Sequence, residues 1–294
     1  MSGIDLRPLS LGELLDRTFF LYRRNFLLFA GIASLPHLFL FVSVVVLALM
    51  FGIAIPLSTR NLGHAALPAP AIGVLVIGGA IFMVGSMAVF SCSLGASAVA
   101  VSEIYSLRKP AIWASLRVAL RKIWKLLAVT LLTLLIVCGG FIFLIIPGIY
   151  LGCRLSVAIA AMTIDDVGPG DAIRRSFFLT KGFAGRVFLI MLLVLAVSYA
   201  AVGLSQVPFF GLIFLAGKNQ ALVVGLTILM EIVNLGVGIA IAPISAIALS
   251  LYYFDLRIRK EAFDLQKMMQ AIGTDSPTPA FSSGESGAIG SDAL

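Results

Sequence analysis

Long apolar runs dominate the chain, and short polar segments separate them. A helix needs about 20 apolar residues to cross a bilayer. Six runs predict six membrane-spanning helices, at residues 26–55, 71–101, 126–146, 149–164, 187–214 and 221–253. The predicted fold class is therefore an all-α, multi-pass membrane protein with a helical membrane domain over residues 1–270.

Prolines interrupt several of these runs. Pro36 is expected to bend or break the first span and Pro243 to interrupt the sixth, because proline inside a helix removes a backbone hydrogen bond. Pro147 and Gly148 are expected to form a tight turn between the third and fourth spans. Runs of about 30 residues are longer than a crossing needs, so they are expected to tilt or kink. The alternative is a re-entrant pair within one of them.

Both ends of the chain differ from the spans. The acidic residues Asp5, Glu13 and Asp16 precede the first long apolar run, unlike the start of a cleavable signal peptide. The first span is therefore expected to serve as the targeting signal. Residues 271–294 are rich in Ser, Thr, Gly and Pro and contain no basic residue, which predicts a disordered cytoplasmic tail.

The basic residues are distributed unevenly. Of the 21 Lys and Arg residues, 18 fall in four polar segments, whereas Arg60 and Lys218 lie in the other connections and Arg154 lies within an apolar run. Cytoplasmic loops of membrane proteins carry such an excess, so both termini are predicted to be cytoplasmic. The four segments contain Arg7, Arg17, Arg23 and Arg24; Arg108, Lys109, Arg117, Arg121, Lys122 and Lys125; Arg174, Arg175, Lys181 and Arg186; and Arg257, Arg259, Lys260 and Lys267.

Three of these segments have the apolar spacing of a basic amphipathic helix. The first covers residues 11–26 and follows a capping box of Ser10 and Glu13, while the others begin near Pro110 and Pro169. Such helices are expected to lie in the membrane plane on the cytoplasmic side. The alternative is that they only extend the spans into the cytoplasm. The predicted interfacial anchors are Trp113, Trp124, Arg24, Lys122 and Lys181.

The same segments indicate a threefold internal repeat. Pro110 and Pro169 are separated by the same number of residues as Trp124 and Phe183, so the second and third units align without a gap. The predicted unit is one surface helix followed by a hairpin of two spans.

Composition and charge narrow the choice of partner. Hydrophobic residues make up 60% of the chain and charged residues only 12%, against roughly 25% charged residues in a soluble domain. The net charge of +7 would suit nucleic acid, but the basic residues lie at the ends of apolar runs. The predicted partner is therefore the anionic inner leaflet of the bilayer, with a protein partner or a second copy as a further candidate and no nucleic acid.

Cys92, Cys138 and Cys153 are expected to be buried thiols.

Charges within apolar runs are the strongest functional candidates, since each costs about 2.5–3.5 kcal/mol on insertion scales. Arg154 and Glu231 are the clear cases, and Asn234 lies one helical turn beyond Glu231. Counting from the outer ends of their spans places both charges about 10–15 Å below the outer surface, which predicts an ion pair. This pair would either lock the fourth span to the sixth or form a transport or ligand site, and the remaining alternative is that the two charges do not pair.

No catalytic residue, cofactor or metal site is predicted. The sequence contains no P-loop and no G-x-S-x-G motif. Its two histidines, His37 and His64, lack a second ligand at metal-binding spacing.

Several short motifs together resemble one bacterial family. They are LRPLSLGELLD at 6–16, LYRRNF at 21–26, PGIY at 147–150, DAIRRS at 171–176 and YYFDLR at 252–257. The chain resembles, over residues 5–266, the membrane domain found with some bacterial glycerophosphoryl diester phosphodiesterases and its stand-alone relatives. In the two-part members a soluble domain carries the phosphodiester chemistry, and here only the predicted tail follows. The resemblance therefore implies a lipid-associated module of the bacterial cytoplasmic membrane rather than an enzyme.

Two functional hypotheses follow. The first is a non-enzymatic membrane module that anchors or organises a partner in envelope lipid metabolism. The alternative is a small transporter or exporter with a midplane site near Arg154 and Glu231. A water-filled cavity that reaches these residues would favour transport, and a dry helical bundle would favour the module.

Overall fold

The computed structural model describes residues 9–61 and 69–274, with side chains described at 9–46, 73 and 76–261. Arg7, His64 and residues 275–294 of the predicted tail lie outside these ranges. The regular structure of the described residues is α-helical throughout. The ten helices are α1 (Leu11–Arg24), α2 (Phe26–Asn61), α3 (Ala69–Tyr105), α4 (Ile112–Arg121), α5 (Ile123–Phe143), α6 (Ile145–Leu155), α7 (Ala158–Asp165), α8 (Pro169–Thr180), α9 (Ala184–Ala216) and α10 (Gln220–Thr274).

Six segments of the described chain are helical, long and apolar enough to cross a membrane, which confirms the predicted number of spans. The chain is therefore a multi-pass membrane protein by length and composition. The six segments are Phe26–Val46, Val76–Tyr105, Ile123–Phe143, Ile145–Asp165, Ala184–Ala216 and Gln220–Glu261. The fourth consists of two helices, α6 and α7, which meet at residues 156–157.

Neither Pro36 nor Pro243 breaks its helix, and the bend at Pro36 stays a prediction. The helices α2 and α10 continue through Pro36 and Pro243, so the sixth span is not interrupted and no described long run forms a re-entrant pair. Proline is tolerated within membrane helices because neighbouring groups satisfy the freed backbone atoms. The turn between α5 and α6 lies at Leu144, whose backbone is extended. Pro147 instead occupies the first turn of α6, where its missing N–H is not needed.

Three short helices precede spans at one end of the bundle. The capping box before α1 is confirmed, since the Ser10 N–H donates to Glu13 at 2.8 Å and the Glu13 N–H donates to Ser10 Oγ at 3.2 Å. The helix α8 begins at Pro169 as predicted, whereas α4 begins at Ile112, two residues after Pro110. We call this end of the bundle, where α1, α4, α8 and the C-terminal part of α10 meet, the basic end.

The protein core lies near the basic end. Residues of α3 are buried from Ser91 to Val101 but exposed from Val76 to Val84, and α10 is buried mainly from Ile244 to Leu256. Small side chains permit this close packing, because a Cβ added to Gly95 would lie only 3.2 Å from Leu126. The opposite halves of the helices are more exposed, as at residues 76–84 of α3.

Candidate functional site

A cavity of about 710 Å³ lies among α2, α9 and α10. Its walls are mostly apolar, but the side chains of His37, Thr227, Glu231 and Asn234 converge on it. The structure therefore brings Glu231 and Asn234 together with His37, a residue that the sequence argument had set aside. The apolar part of the lining is formed by Leu40, Phe41, Val44, Val45, Val202, Ile228, Leu235 and Gly238.

The cavity lies near the middle of the spans. His37 and Glu231 each lie 11 residues after the start of their helices, at Phe26 and Gln220. At 1.5 Å per residue each is about 16 Å from that start. The chain runs away from the basic end along α2 and towards it along α10. His37 is therefore about 16 Å from the basic end and Glu231 about 16 Å from the opposite end, so both lie near the middle of a hydrocarbon layer about 30 Å thick.

The orientation of His37 follows from its backbone contact and from Gly238. The ring Nδ1 lies 2.8 Å from the carbonyl oxygen of Ala33. A carbonyl only accepts, so Nδ1 is the donor of this contact, and in the neutral ring Nε2 is then the acceptor. The ring packs so closely on α10 that a Cβ at Gly238 would lie 2.8 Å from Nε2.

Glu231 and Asn234 are half-buried and lie on one face of α10, three residues apart. Neither side chain forms a hydrogen bond or an ion pair with any described residue. A polar group in a membrane span is costly without a partner, so two such groups beside a cavity indicate a place where polar chemistry is used.

The predicted ion pair between Arg154 and Glu231 is wrong. The Arg154 guanidinium donates to Thr180 Oγ1 at 3.1 Å, to the Tyr150 hydroxyl at 2.8 Å and to the Phe177 carbonyl at 2.6 Å. It also lies over the rings of Tyr150 and Phe177. The reason is the break after α6, since Arg154 sits in the last turn of that short helix and packs against α8 near the basic end.

This geometry predicts that variants of Arg154 and Glu231 act independently. Arg154→Ala is expected to lower the free energy of unfolding by about 1–3 kcal/mol, because it removes three hydrogen bonds from a charged donor. Glu231→Gln is expected to change stability little, and the double variant is expected to match the sum within about 0.5 kcal/mol. Thermal unfolding of the three variants in detergent measures this. If the double variant recovered the stability lost by Arg154→Ala, the two residues would not act independently, and the ion pair between Arg154 and Glu231 would be supported after all.

A second cluster of charges fastens the N-terminal segment to α10 at the basic end. The Asp255 side chain is fully buried and accepts the Leu9 N–H at 2.8 Å and Arg259 Nε at 2.9 Å. The Arg186 guanidinium lies 3.8 Å from the same carboxylate. Arg186 and Arg259 both donate to the carbonyl oxygen of Leu9 as well. We call these four residues the Asp255 cluster.

A neighbouring cluster joins α7, α8 and α10. Asp165 accepts from the Tyr253 hydroxyl, from Arg175 Nε and, at 3.2 Å, from Arg257. Glu261 also pairs with both arginines, at 2.6 Å to Arg175 and 2.7 Å to Arg257. We call these five residues the Asp165 cluster. Together the two clusters fix the relative positions of the N-terminal segment, α7, α8, α9 and α10.

Neither cluster is predicted by the sequence pattern. The pattern indicates basic residues on loops, whereas Arg175, Arg186, Arg257 and Arg259 are paired with acids in the structure. The sequence does contain a hint of the Asp255 cluster, because Asp255 follows three aromatic residues and precedes the basic residues of 257–260. An acid in that setting is typical of a buried ion pair.

The predicted anchors have different environments. Trp113 and Trp124 are 69% and 81% exposed, and Arg24 and Lys181 are exposed as well. Lys122 instead forms an ion pair with Asp166 at 2.8 Å and donates to the Thr163 carbonyl. The hydrogen bond from Lys122 lowers the pKa of Asp166 below its ordinary value, so this carboxylate is ionised at neutral pH.

Metal-ligating groups are dispersed over the described part of the chain, where no three His, Cys, Asp or Glu side chains cluster. Cys92 and Cys153 are buried as predicted, and Cys138 is exposed on the surface of α5, contrary to the prediction.

The chain matches no family model, and no curated protein or solved structure shows significant similarity to it.

Proposed function

We propose that the chain is a non-enzymatic module of the bacterial cytoplasmic membrane that organises a partner on its cytoplasmic side. The observation that carries this proposal is the fastening of the basic end by the Asp255 and Asp165 clusters. Helix ends joined in this way form one preorganised surface, and preorganisation lowers the cost of binding. The excess of basic residues at this end supports a cytoplasmic orientation for it and for both termini.

Several basic side chains at this end remain available to a partner. Arg108, Lys109, Arg117, Arg121 and Arg174 are exposed and pair with no described acid. Their charges suit acidic groups, either lipid phosphates of the inner leaflet or carboxylates of a protein. The motif resemblance to the membrane domain of glycerophosphoryl diester phosphodiesterases supports a role in envelope lipid metabolism.

A strain that lacks the chain provides the test. The wild-type chain is expected to restore its membrane lipid composition, whereas a variant with Gln at Arg108, Lys109, Arg117 and Arg121 is expected to fail at equal expression and equal thermal stability. Lys218→Gln, which neutralises an exposed basic residue between α9 and α10, serves as the matched variant away from the basic end and should restore the lipids. Full restoration by the four-site variant would exclude the basic end as the working surface.

We also propose that α1, α4 and α8 lie in the membrane plane. Each buries one face in the protein, through Leu14 in α1, Leu116 in α4 and Leu179 in α8. Each also exposes large apolar side chains, such as Phe20, Trp113 and Phe178, which suit the lipid interface. The order of one short helix and two spans recurs along the chain and supports the threefold repeat.

Trp113 in α4 and Trp124 at the start of α5 report on this placement of α4. Both are expected to be quenched by lipids that carry a quencher near the headgroup, because their exposed rings lie beside the membrane in the proposed arrangement. Fluorescence of the protein in vesicles measures it. Quenching of Trp113 by a water-soluble quencher alone would place α4 away from the bilayer.

The cavity favours a second candidate function, which is transport or export of a small ligand. Its position near the middle of the spans and its unpartnered Glu231 and Asn234 support this candidate. It differs from the predicted site in its partners, since His37 takes the place of Arg154. Ligand flux into vesicles that contain the purified protein tests it, with empty vesicles as the control. Flux equal to that of empty vesicles would rule transport out.

A further inference from the structure

We propose that the cavity among α2, α9 and α10 binds a lipophilic amine, meaning one protonated nitrogen on a compact apolar body. The inference rests on the second proposed function and names its ligand class. Its first support is the pair of unpartnered groups, Glu231 and Asn234, which line the cavity three residues apart on one helix face.

The polar groups of the cavity call for a donor with positive charge. The carboxylate form of Glu231 only accepts hydrogen bonds, and in the neutral ring of His37, with its proton on the Nδ1 that faces Ala33, Nε2 accepts as well. The Thr227 hydroxyl donates to the Val223 carbonyl at 2.8 Å, which leaves its oxygen lone pairs as acceptors. No Lys or Arg lies among the described residues that line the cavity. An ammonium group has three donors and the complementary charge.

The remaining walls select an apolar body. Leu40, Phe41, Val202, Ile228 and Leu235 supply hydrocarbon and aromatic surface around the polar groups. A volume of about 710 Å³ falls within the range of roughly 300–1,000 Å³ that holds small organic ligands. A bare metal cation fits less well, because Ca²⁺ takes about 6–8 oxygen ligands and this lining offers few side-chain oxygens.

The cavity opens sideways between helices. Leu40, Val44 and Ile228 line it and are exposed, although all three lie within membrane spans. An opening at this level faces the hydrocarbon of the bilayer, so the apolar body of the ligand can pass between the helices while its ammonium group pairs with Glu231.

The test compares two probes of equal shape, 1-adamantanamine and 1-adamantanol, on the purified full chain in a non-ionic detergent. The amine is expected to bind and to raise the unfolding temperature, since a ligand that binds only the folded state stabilises it. Glu231→Gln is expected to weaken amine binding by about 10- to 100-fold, the effect of losing a hydrogen bond to a charged group. Binding of the alcohol is expected to be weaker than that of the amine and unchanged in the variant.

Two further variants make the result specific. Glu103→Gln removes a carboxylate at the inner end of α3, far from the cavity lining, and should bind the amine as the wild type does. Gly238→Ala would place a methyl group against the His37 ring and should weaken amine binding while Glu231 remains.

The results test the ligand class and the transport function separately. Equal binding of the amine and the alcohol, equal binding by Glu231→Gln, or stabilisation by sodium ions that competes with the amine would each overturn the amine proposal. Amine binding through Glu231 without flux into vesicles would keep the amine site and reject transport. Flux of another ligand without amine binding would keep transport and reject this ligand class.

Discussion

Asp255→Asn is expected to lower the free energy of unfolding by about 3–5 kcal/mol, the largest effect of any single change considered for this chain. The Asp255 side chain is fully buried and is the acceptor for the Leu9 N–H and for Arg259, with Arg186 close by. Asparagine keeps the shape but removes the charge, so two arginines lose their acid. Folded yield and the unfolding temperature in detergent measure the loss.

Asp166→Asn is the matched control, because Asp166 is also a paired aspartate at the basic end. Its side chain is 65% exposed and bonds Lys122 and Lys125, and exposed ion pairs contribute little. The control is therefore expected to unfold near the wild-type temperature. Equal losses for the two variants would mean that the Asp255 cluster does not hold the basic end together.

Asp165→Asn is expected to be the most damaging single change within the Asp165 cluster, at about 1–3 kcal/mol, because Asp165 accepts from Tyr253, Arg175 and Arg257. The loss is smaller than at Asp255, since both arginines keep Glu261 as a partner. Glu261→Gln alone should be milder still. Losing both acids should cost more than the sum of the single losses by about 0.5–3 kcal/mol.

A double-mutant cycle over Asp165 and Glu261 measures this coupling through unfolding temperatures of the four proteins. Purely additive losses would show that the two acids do not share Arg175 and Arg257. The cycle measures the Asp165 cluster apart from the Asp255 cluster, because neither Asp165 nor Glu261 is hydrogen-bonded to Leu9 or Asp255.

The sequence predicted the spans well because their signal is local. A run of about 20 apolar residues has few structural alternatives to a membrane helix, and all six predicted runs became helical segments of spanning length. The caps of α1 and α8 were predicted for the same reason, since Ser10, Glu13 and Pro169 act on their own first turns. The helix bounds shifted where proline could be accommodated, as at Pro147.

The site could not be predicted because it depends on contacts between distant residues. Depth along a span placed Arg154 beside Glu231, but depth gives no direction around the bundle axis. Because the fourth span breaks between α6 and α7, Arg154 contacts α8. The close approach of α2 to α10 at Gly238 places His37 beside the cavity wall that contains Glu231. Asp255 meets Leu9 across 246 positions of sequence, a pairing that no local pattern records.

The central claim is that the basic end is a docking surface on the cytoplasmic side. The most direct test determines on which side of the membrane the basic end lies. After Cys92, Cys138 and Cys153 are replaced by Ala, single cysteines are introduced as Lys109→Cys, Arg174→Cys and Lys218→Cys, all at exposed positions. A membrane-impermeant maleimide added to intact cells is expected to label only Lys218→Cys, and permeabilised cells should label all three. Labelling of Lys109→Cys or Arg174→Cys in intact cells would place the basic end outside and contradict a cytoplasmic docking surface.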